Sequence, residues 1–283
     1  DHKGPDQRTT LLGASRRAAG KVCRAALDQN DSTTRTVAAY AVGNLGLTAL
    51  RDDLLRLSDD PEHTVRQGAA ASLHVLPPLS DLSPLVSWAE VEPAPAVRVR
   101  LGLALLAGLR SGCPRPAGLG SAVAECFSDR EDVALLGLHL RGFVAGPAAR
   151  TVLRTAALGD RLATAAAGLT ALGVTGHPDA LPALVQGTQA DDAVRRRRAA
   201  EALGALGLPE GAARLVDVAV EDPEPSVRRA ALHALTQCPC TADEAVRLVP
   251  SGPEDPLLFD LLEARTAATG GLLDAAAVDA QLD

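Results

Sequence analysis

DPEHTVRQGAAASL (60–73) and DPEPSVRRAALHAL (222–235) are nearly the same fourteen residues written twice in a chain of 283. Aligned on Val65 and Val227, the frame also fits Thr34, Val97, Arg161 and Arg195. Successive spacings are 31, 32, 64, 34 and 32, with 64 read as two periods around a blurred copy near Val133. With these residues as position zero, position one is Arg35, Arg66, Arg98, Leu162, Arg196 and Arg228. Position four is Ala38, Ala69, Leu101, Ala165, Ala199 and Ala231. Position seven is always small (Ala41, Ser72, Ala104, Gly168, Ala202, Ala234), and position eight is always a branched aliphatic (Val42, Leu73, Leu105, Leu169, Leu203, Leu235).

Positions zero, four, seven or eight, and eleven share one face of a 3.6-residue helix, so each copy predicts a helix with a buried stripe. Small residues within that stripe let a neighbouring helix approach closely. Asp60-Pro61, Glu92-Pro93, Asp191-Asp192 and Asp222-Pro223 precede the helices, where acids and proline suit a helix start. Second helical stretches follow at 48–58, 84–90, 178–188, 210–220 and 241–249, bounded by breakers such as Pro77-Pro78 and Gly146-Pro147. One period is therefore a helical hairpin that cannot bury its stripe alone and must stack on its neighbours. Composition agrees. Hydrophobic residues make up 47% but aromatics only 2%, a balance of alanine and leucine that favours helix over strand.

The pattern D-P-x-x-x-V-R-x-x-A-A-x-x-A-L, followed about ten residues later by a P-x-A-h-x-x-L-h second helix, resembles the HEAT repeat. The short bacterial form named after phycobilisome lyases is the nearest in kind. The resemblance covers 31–250 and is sharpest over 177–237. It implies an all-α, right-handed α-solenoid of about seven to eight stacked hairpins. The expected organisation is one repeat domain over 1–283, with an N-terminal cap at 1–30, repeats at 31–250 and an acidic C-terminal cap at 251–283. SGCPRPAGLG (111–120) interrupts the pattern, and copies between 110 and 160 are eroded, which predicts a kink or a lengthened connection there.

The resemblance also implies a role for the recurrent arginines Arg35, Arg66, Arg98, Arg196 and Arg228. In such arrays this position pairs with an acid of the same or next repeat, and Asp60, Glu92, Asp191 and Asp222 are suitably spaced. Arg195–Arg198 could hold a phosphate, but four successive residues point around a helix and acids flank them, so a solvated, internally paired segment is the expectation. Side chains at positions two, six and nine fall off the stripe and sample the concave side, the default binding surface of a solenoid. They give Tyr40, Gln67, His74, Val99, Leu103, Leu106, Arg197, Glu201, Arg229 and His233 as partner-binding candidates. Leu103 and Leu106 fit a broader core stripe equally well. The expected partner is another protein or a peptide segment, bound without catalysis.

Other chemistries find little support. Six histidines form no HxH, HExxH or His-Glu pair, unlike HEAT-like iron hydroxylases, so no metal and no cofactor are expected. Cys238-Pro239-Cys240 offers two thiols where a metal needs three or four ligands, and no glycine-rich phosphate loop is present. HEAT-like alkyl-purine DNA glycosylases need a basic, aromatic-bearing face. One Trp, one Tyr and a net charge of −7 argue against nucleic acid. A lyase or chaperone handling a cofactor or client is the alternative the family name suggests, although fold does not carry function. Five cysteines without framework spacing fit a reducing, cytoplasmic setting, and no apolar run is long enough to span a membrane. Charge is uneven: residues 251–283 hold seven acids against Arg265, while residues 1–30 lean basic.

Overall fold

A computed structural model describes residues 7–127, 131–144 and 146–238, together with 240, 241, 244, 247, 248 and 260. Among them every regular element is helical. The chain divides into two compact units, Asp1–Leu140 and Arg141–Asp283. The first holds α1 (Gln7–Leu27), α2 (Ser32–Asn44), α3 (Arg51–Arg56), α4 (His63–Val75), α5 (Ser83–Val91), α6 (Pro95–Arg110), α7 (Leu119–Cys126) and most of α8 (Glu131–Arg141). The second holds α9 (Pro147–Leu158), α10 (Leu162–Val174), α11 (Leu181–Gly187), α12 (Ala193–Leu206), α13 (Ala212–Glu221) and α14 (Pro225–Gln237). Short 3-10 turns lead into α3, α11 and α13, so four of the five expected second helices are present as α3, α5, α11 and α13. The fifth, 241–249, lies largely outside the described residues, as does the expected acidic cap apart from Asp260.

Recurrent helices pack on their successors: α2 on α4 and α4 on α6 in the first unit, α10 on α12 and α12 on α14 in the second. Within hairpins, α3 packs on α4, α5 on α6, α9 on α10, α11 on α12 and α13 on α14. Position four is buried throughout, at Ala38, Ala69, Leu101, Ala199 and Ala231.

Helix-to-helix approach is set by glycine. A Cβ added to Gly43 would lie 2.5–2.9 Å from Ser72 atoms, and one on Gly204 would lie 2.7 Å from Ala234 Cα. In both pairs position nine of one copy meets position seven of the next. The same pairing corrects the register of one copy. A Cβ on Gly173 would lie 2.6 Å from Ala202 O, and one on Gly142 would lie 2.7 Å from Ala171 O. Those contacts place position zero of the α10 copy at Thr164, three residues after Arg161. Helix starts agree: Asp31, Glu62, Ala94, Asp192 and Glu224 cap their helices three residues before position zero, and Arg161 is the corresponding cap of α10. Ala165, not Leu162, then takes position one. The shift by about one turn left small residues at positions four and seven and a leucine at position eight in either frame, so the pattern tolerated it despite Arg161 at position zero. Corrected spacings are 36 from Val97 to Val133 and 31 from Val133 to Thr164. The interruption is thus a lengthened connection, residues 111–118, turning at Gly112 (φ 87°) and Gly118 (φ 80°).

The arginine ladder forms between successive repeats. Arg35 donates to both Asp60 oxygens at 2.7 and 3.1 Å, Arg66 to both Glu92 oxygens at 2.9 Å, and Arg196 to both Asp222 oxygens at 2.7 and 3.1 Å. Each acid lies five residues before the next position zero. It also accepts the N–H two residues on, from Glu62, Ala94 or Glu224. The remaining guanidinium nitrogen donates to carbonyls at the mouth of its own helix, as in Arg66 Nη1 to Asp60 O and Pro61 O. Arg228 makes these carbonyl bonds too. Its spacing reaches Glu254, which lies outside the described residues. Asp191 is not a rung. The rung position is Ala190, and its counterpart is Ala165, so this rung lacks charge at both ends. Arg98 departs as well: its rung position is Ser128 in the sequence, outside the described residues, and its buried Nε has no hydrogen-bond partner among the described residues.

Burial pushes the rung carboxylates Asp60, Glu92 and Asp222 up, but their arginine and backbone donors outweigh it and hold all three below the ordinary range. A carboxylate depressed in the folded state adds stability above its unfolded value, and that stability is lost as pH falls through the folded value. Denaturation midpoints are therefore expected to drop as pH falls below about 4, the ordinary carboxylate range. An Arg66→Ala variant should show a shallower drop. Equal slopes for parent and variant would exclude the ladder as the source.

Candidate partner-binding surface

Beside the stripe and ladder, positions two and six form a part-exposed face on the recurrent helices, broken at α4 by the buried Ala71. In the first unit that face carries Tyr40 on α2, Gln67 on α4, and Val99 and Leu103 on α6, all half-buried. A Cβ on Gly68 would lie 3.2 Å from Tyr40 Cδ2, so the phenol ring rests on the bare backbone of α4. Three successively packed helices thus present an aromatic, an amide and two aliphatic side chains.

On α12 and α14 of the second unit the same positions carry Arg197, Glu201, Arg229 and His233. Arg197 Nε is 3.7 Å from Glu201 on the next turn of α12, and Arg198 Nη1 lies 2.7 Å from the same carboxylate. The four-arginine run therefore splits by direction: Arg196 enters the ladder, Arg195 donates to Gly159 O, and Arg197 and Arg198 share Glu201. On α14, Arg229 donates to Asp260 at 3.0 Å, and His233 is exposed. The pairing of Arg229 with a residue from the acidic stretch was not visible in the repeat pattern, because Asp260 lies beyond the last copy.

Position nine does not belong to this face. It lies in the seam where Gly43, Gly142, Gly173 and Gly204 meet the next helix, so its occupants pack against a neighbour. Leu106 is accordingly core, 6% exposed. His74 is half-buried with Nδ1 shut away from solvent and without a hydrogen-bond partner among the described residues. Leu106 thus takes the core-stripe alternative, and His74 shares its position in the repeat.

Around the α12–α13 connection of the second unit the charges are internally matched. An open pocket of about 400 Å³ in the second unit is lined by Asp191, Arg196, Arg214, Asp217, Glu221 and Asp222. Arg196 pairs with Asp222, Arg214 donates to Thr188 Oγ1 at 2.7 Å, and Asp217 and Glu221 lie 2.8 and 3.6 Å from Arg247. All five cysteines are free thiols. Burial pushes the Cys238 and Cys240 thiols up, and Cys238 Sγ donates to Leu208 O at 2.9 Å. Among the described residues no three His, Cys, Asp or Glu side chains are grouped to hold a metal, and no helix is long and apolar enough to cross a membrane.

The family of HEAT repeats matches residues 147–236. No curated protein matches the chain significantly. Among solved structures, human deoxyhypusine hydroxylase in complex with glycerol is 21% identical, over 84% of this chain and 92% of that chain, at a TM-score of 0.37. The complex of CpcE and CpcF of phycocyanin lyase from Nostoc is 19% identical over 89% and 94%, at a TM-score of 0.47. Kap121p is 15% identical over 94% of this chain and 34% of its own length, at a TM-score of 0.46.

Proposed function

We propose that this HEAT-repeat chain is a non-enzymatic interaction scaffold that holds a protein or peptide partner on the position-two and position-six face of its recurrent helices. The observation that carries this reading is the row Tyr40, Gln67, Val99 and Leu103, half-buried on three helices packed in sequence. Such a row combines apolar area with a polar edge, the composition of an interface centre. Packed helices lie about 8–10 Å apart, so one extended segment meets a fresh side chain on each helix it crosses.

Leu103→Asp is the decisive variant, because it places a charge in the apolar centre while leaving the fully buried stripe untouched. Partners captured by the parent chain are identified and then titrated directly against parent, Leu103→Asp and Arg115→Ala, the last lying in the 111–118 connection. Affinity should fall by about tenfold or more for Leu103→Asp, roughly 1.4 kcal/mol, and stay unchanged for Arg115→Ala. Circular dichroism and thermal midpoints establish that each variant folds. A folded Leu103→Asp chain with parental affinity defeats this assignment of the face.

A further inference from the structure

α1 is the longest helix among the described residues and the one with the most basic side chains. Its 21 residues hold Arg8, Arg16, Arg17, Lys21 and Arg24 and no acid. Four of these cations line one open cavity of about 350 Å³, formed against the turn at 46–50. Leu47 and Leu50 are buried beneath it and give it an apolar floor. Arg24 is fixed at one edge, donating to Asp53 at 3.1 Å and to Ala49 O at 3.5 Å. Arg16 reaches over the turn, its Nη2 3.8 Å from where a Cβ on Gly46 would stand. Gly46 has φ +62°, so a side chain there would be strained as well as obstructive. Arg16, Arg17 and Lys21 make no ion pair among the described residues. Three cations without an ion pair among the described residues, set around an apolar floor, suit a ligand with both carboxylates and aliphatic side chains, which a bare phosphate lacks.

One stretch of this chain has that chemistry. Residues 251–283 carry a net charge of −6 and the leucine pairs 257–258, 261–262 and 272–273. Asp260 is engaged by Arg229, and the ladder spacing reserves Glu254 for Arg228. Asp255, Glu263, Asp274, Asp279 and Asp283 are the other acids of the stretch. We propose that the α1 cavity docks the acidic, leucine-containing 251–283 stretch of a second copy of this chain. The two surfaces differ, so the contact is heterologous, and each copy keeps one free donor and one free acceptor. Association of this kind continues by addition instead of stopping at a dimer.

Sedimentation velocity of the whole chain tests this over a concentration series at about 0.1 M and about 1 M ionic strength, between which the screening length falls from about 10 to about 3 Å. The parent is expected to gain mass with concentration at the lower salt and to lose it at the higher. The triple variant Arg16→Glu, Arg17→Glu, Lys21→Glu changes exposed side chains only and should sediment as a monomer with parental helicity. Mixed with parent, a labelled triple variant should still join, since its own 251–283 stretch is intact, and should shorten the assemblies by ending them. A parent that stays monomeric at the lower salt overturns the proposal. So does a triple variant that assembles like the parent, or one excluded from parental assemblies, which would mark an α1-to-α1 contact.

Discussion

Replacing Arg66 with alanine is expected to destabilise the first unit by about 3–5 kcal/mol, the cost of leaving a buried charge without its partner. Glu92 is the most enclosed carboxylate of the ladder, its side chain 1% exposed. Both its oxygens accept from Arg66, one also takes Trp88 Nε1–H at 3.0 Å, and the other takes the Ala94 N–H. Without the guanidinium, Glu92 must stay charged in a dry site, take up a proton, or open the junction between α4 and α6. Each route costs stability. Trp88 supplies the readout, because it is the sole tryptophan, is buried, and touches the same carboxylate. Its fluorescence follows the first unit even where the two units unfold separately, a case in which one global transition has no clear meaning. The double variant Arg66→Ala, Glu92→Ala should lose less than the two single losses combined, since it removes the orphaned charge with its partner. The chain already carries such a rung in Ala165 and Ala190. A loss below about 1 kcal/mol for Arg66→Ala, in the range of an exposed pair, would show that the site admits water.

The repeat was legible because stacking repeats the same physical demand at a fixed interval. A small residue at position seven and an aliphatic at position eight recur wherever one helix must sit close to the next. The rungs Asp60, Glu92 and Asp222 were legible for the same reason, each standing at one distance before its helix. Reading failed where the demand is met by the absence of a side chain. Gly173 and Gly142 set the register of α10 through backbone contacts, and hydrophobic spacing is blind to a glycine, so Arg161 stood in for Thr164. The same blindness left Leu106 undecided between core and open face, because position nine reads as off the stripe until Gly43 and Gly204 are seen against the following helix. The α1 cavity was legible only as charge. The basic lean of residues 1–30 was plain, but the cavity also needs the 46–50 turn, and no periodicity joins that turn to α1.

Gly204→Ala is the second large expectation, and its value lies in its sign. In an exposed helix the exchange favours alanine by about 0.8–1.0 kcal/mol. At Gly204 the added methyl would stand 2.7 Å from Ala234 Cα and Cβ and 3.0 Å from Ala234 O, where carbon atoms rest at about 3.5–4.0 Å. Backbone cannot turn aside as a side-chain tip can, so α12 and α14 must separate. Ala231, Leu232 and Leu235 then lose close contact, and a net loss of about 1–3 kcal/mol is expected despite the better helix former. Gly20→Ala is the matched control, since a Cβ on Gly20 in α1 meets nothing within 4 Å. That variant should gain up to about 1 kcal/mol. Urea denaturation followed by circular dichroism reports both, because the second unit has no aromatic probe of its own among Trp and Tyr. Opposite signs at two helical glycines would show that the seam, not helix propensity, sets the spacing of repeats. Stabilisation at both would mean that α12 and α14 have room to spare, and the glycine register assigned to α10 through Gly173 would fall with it.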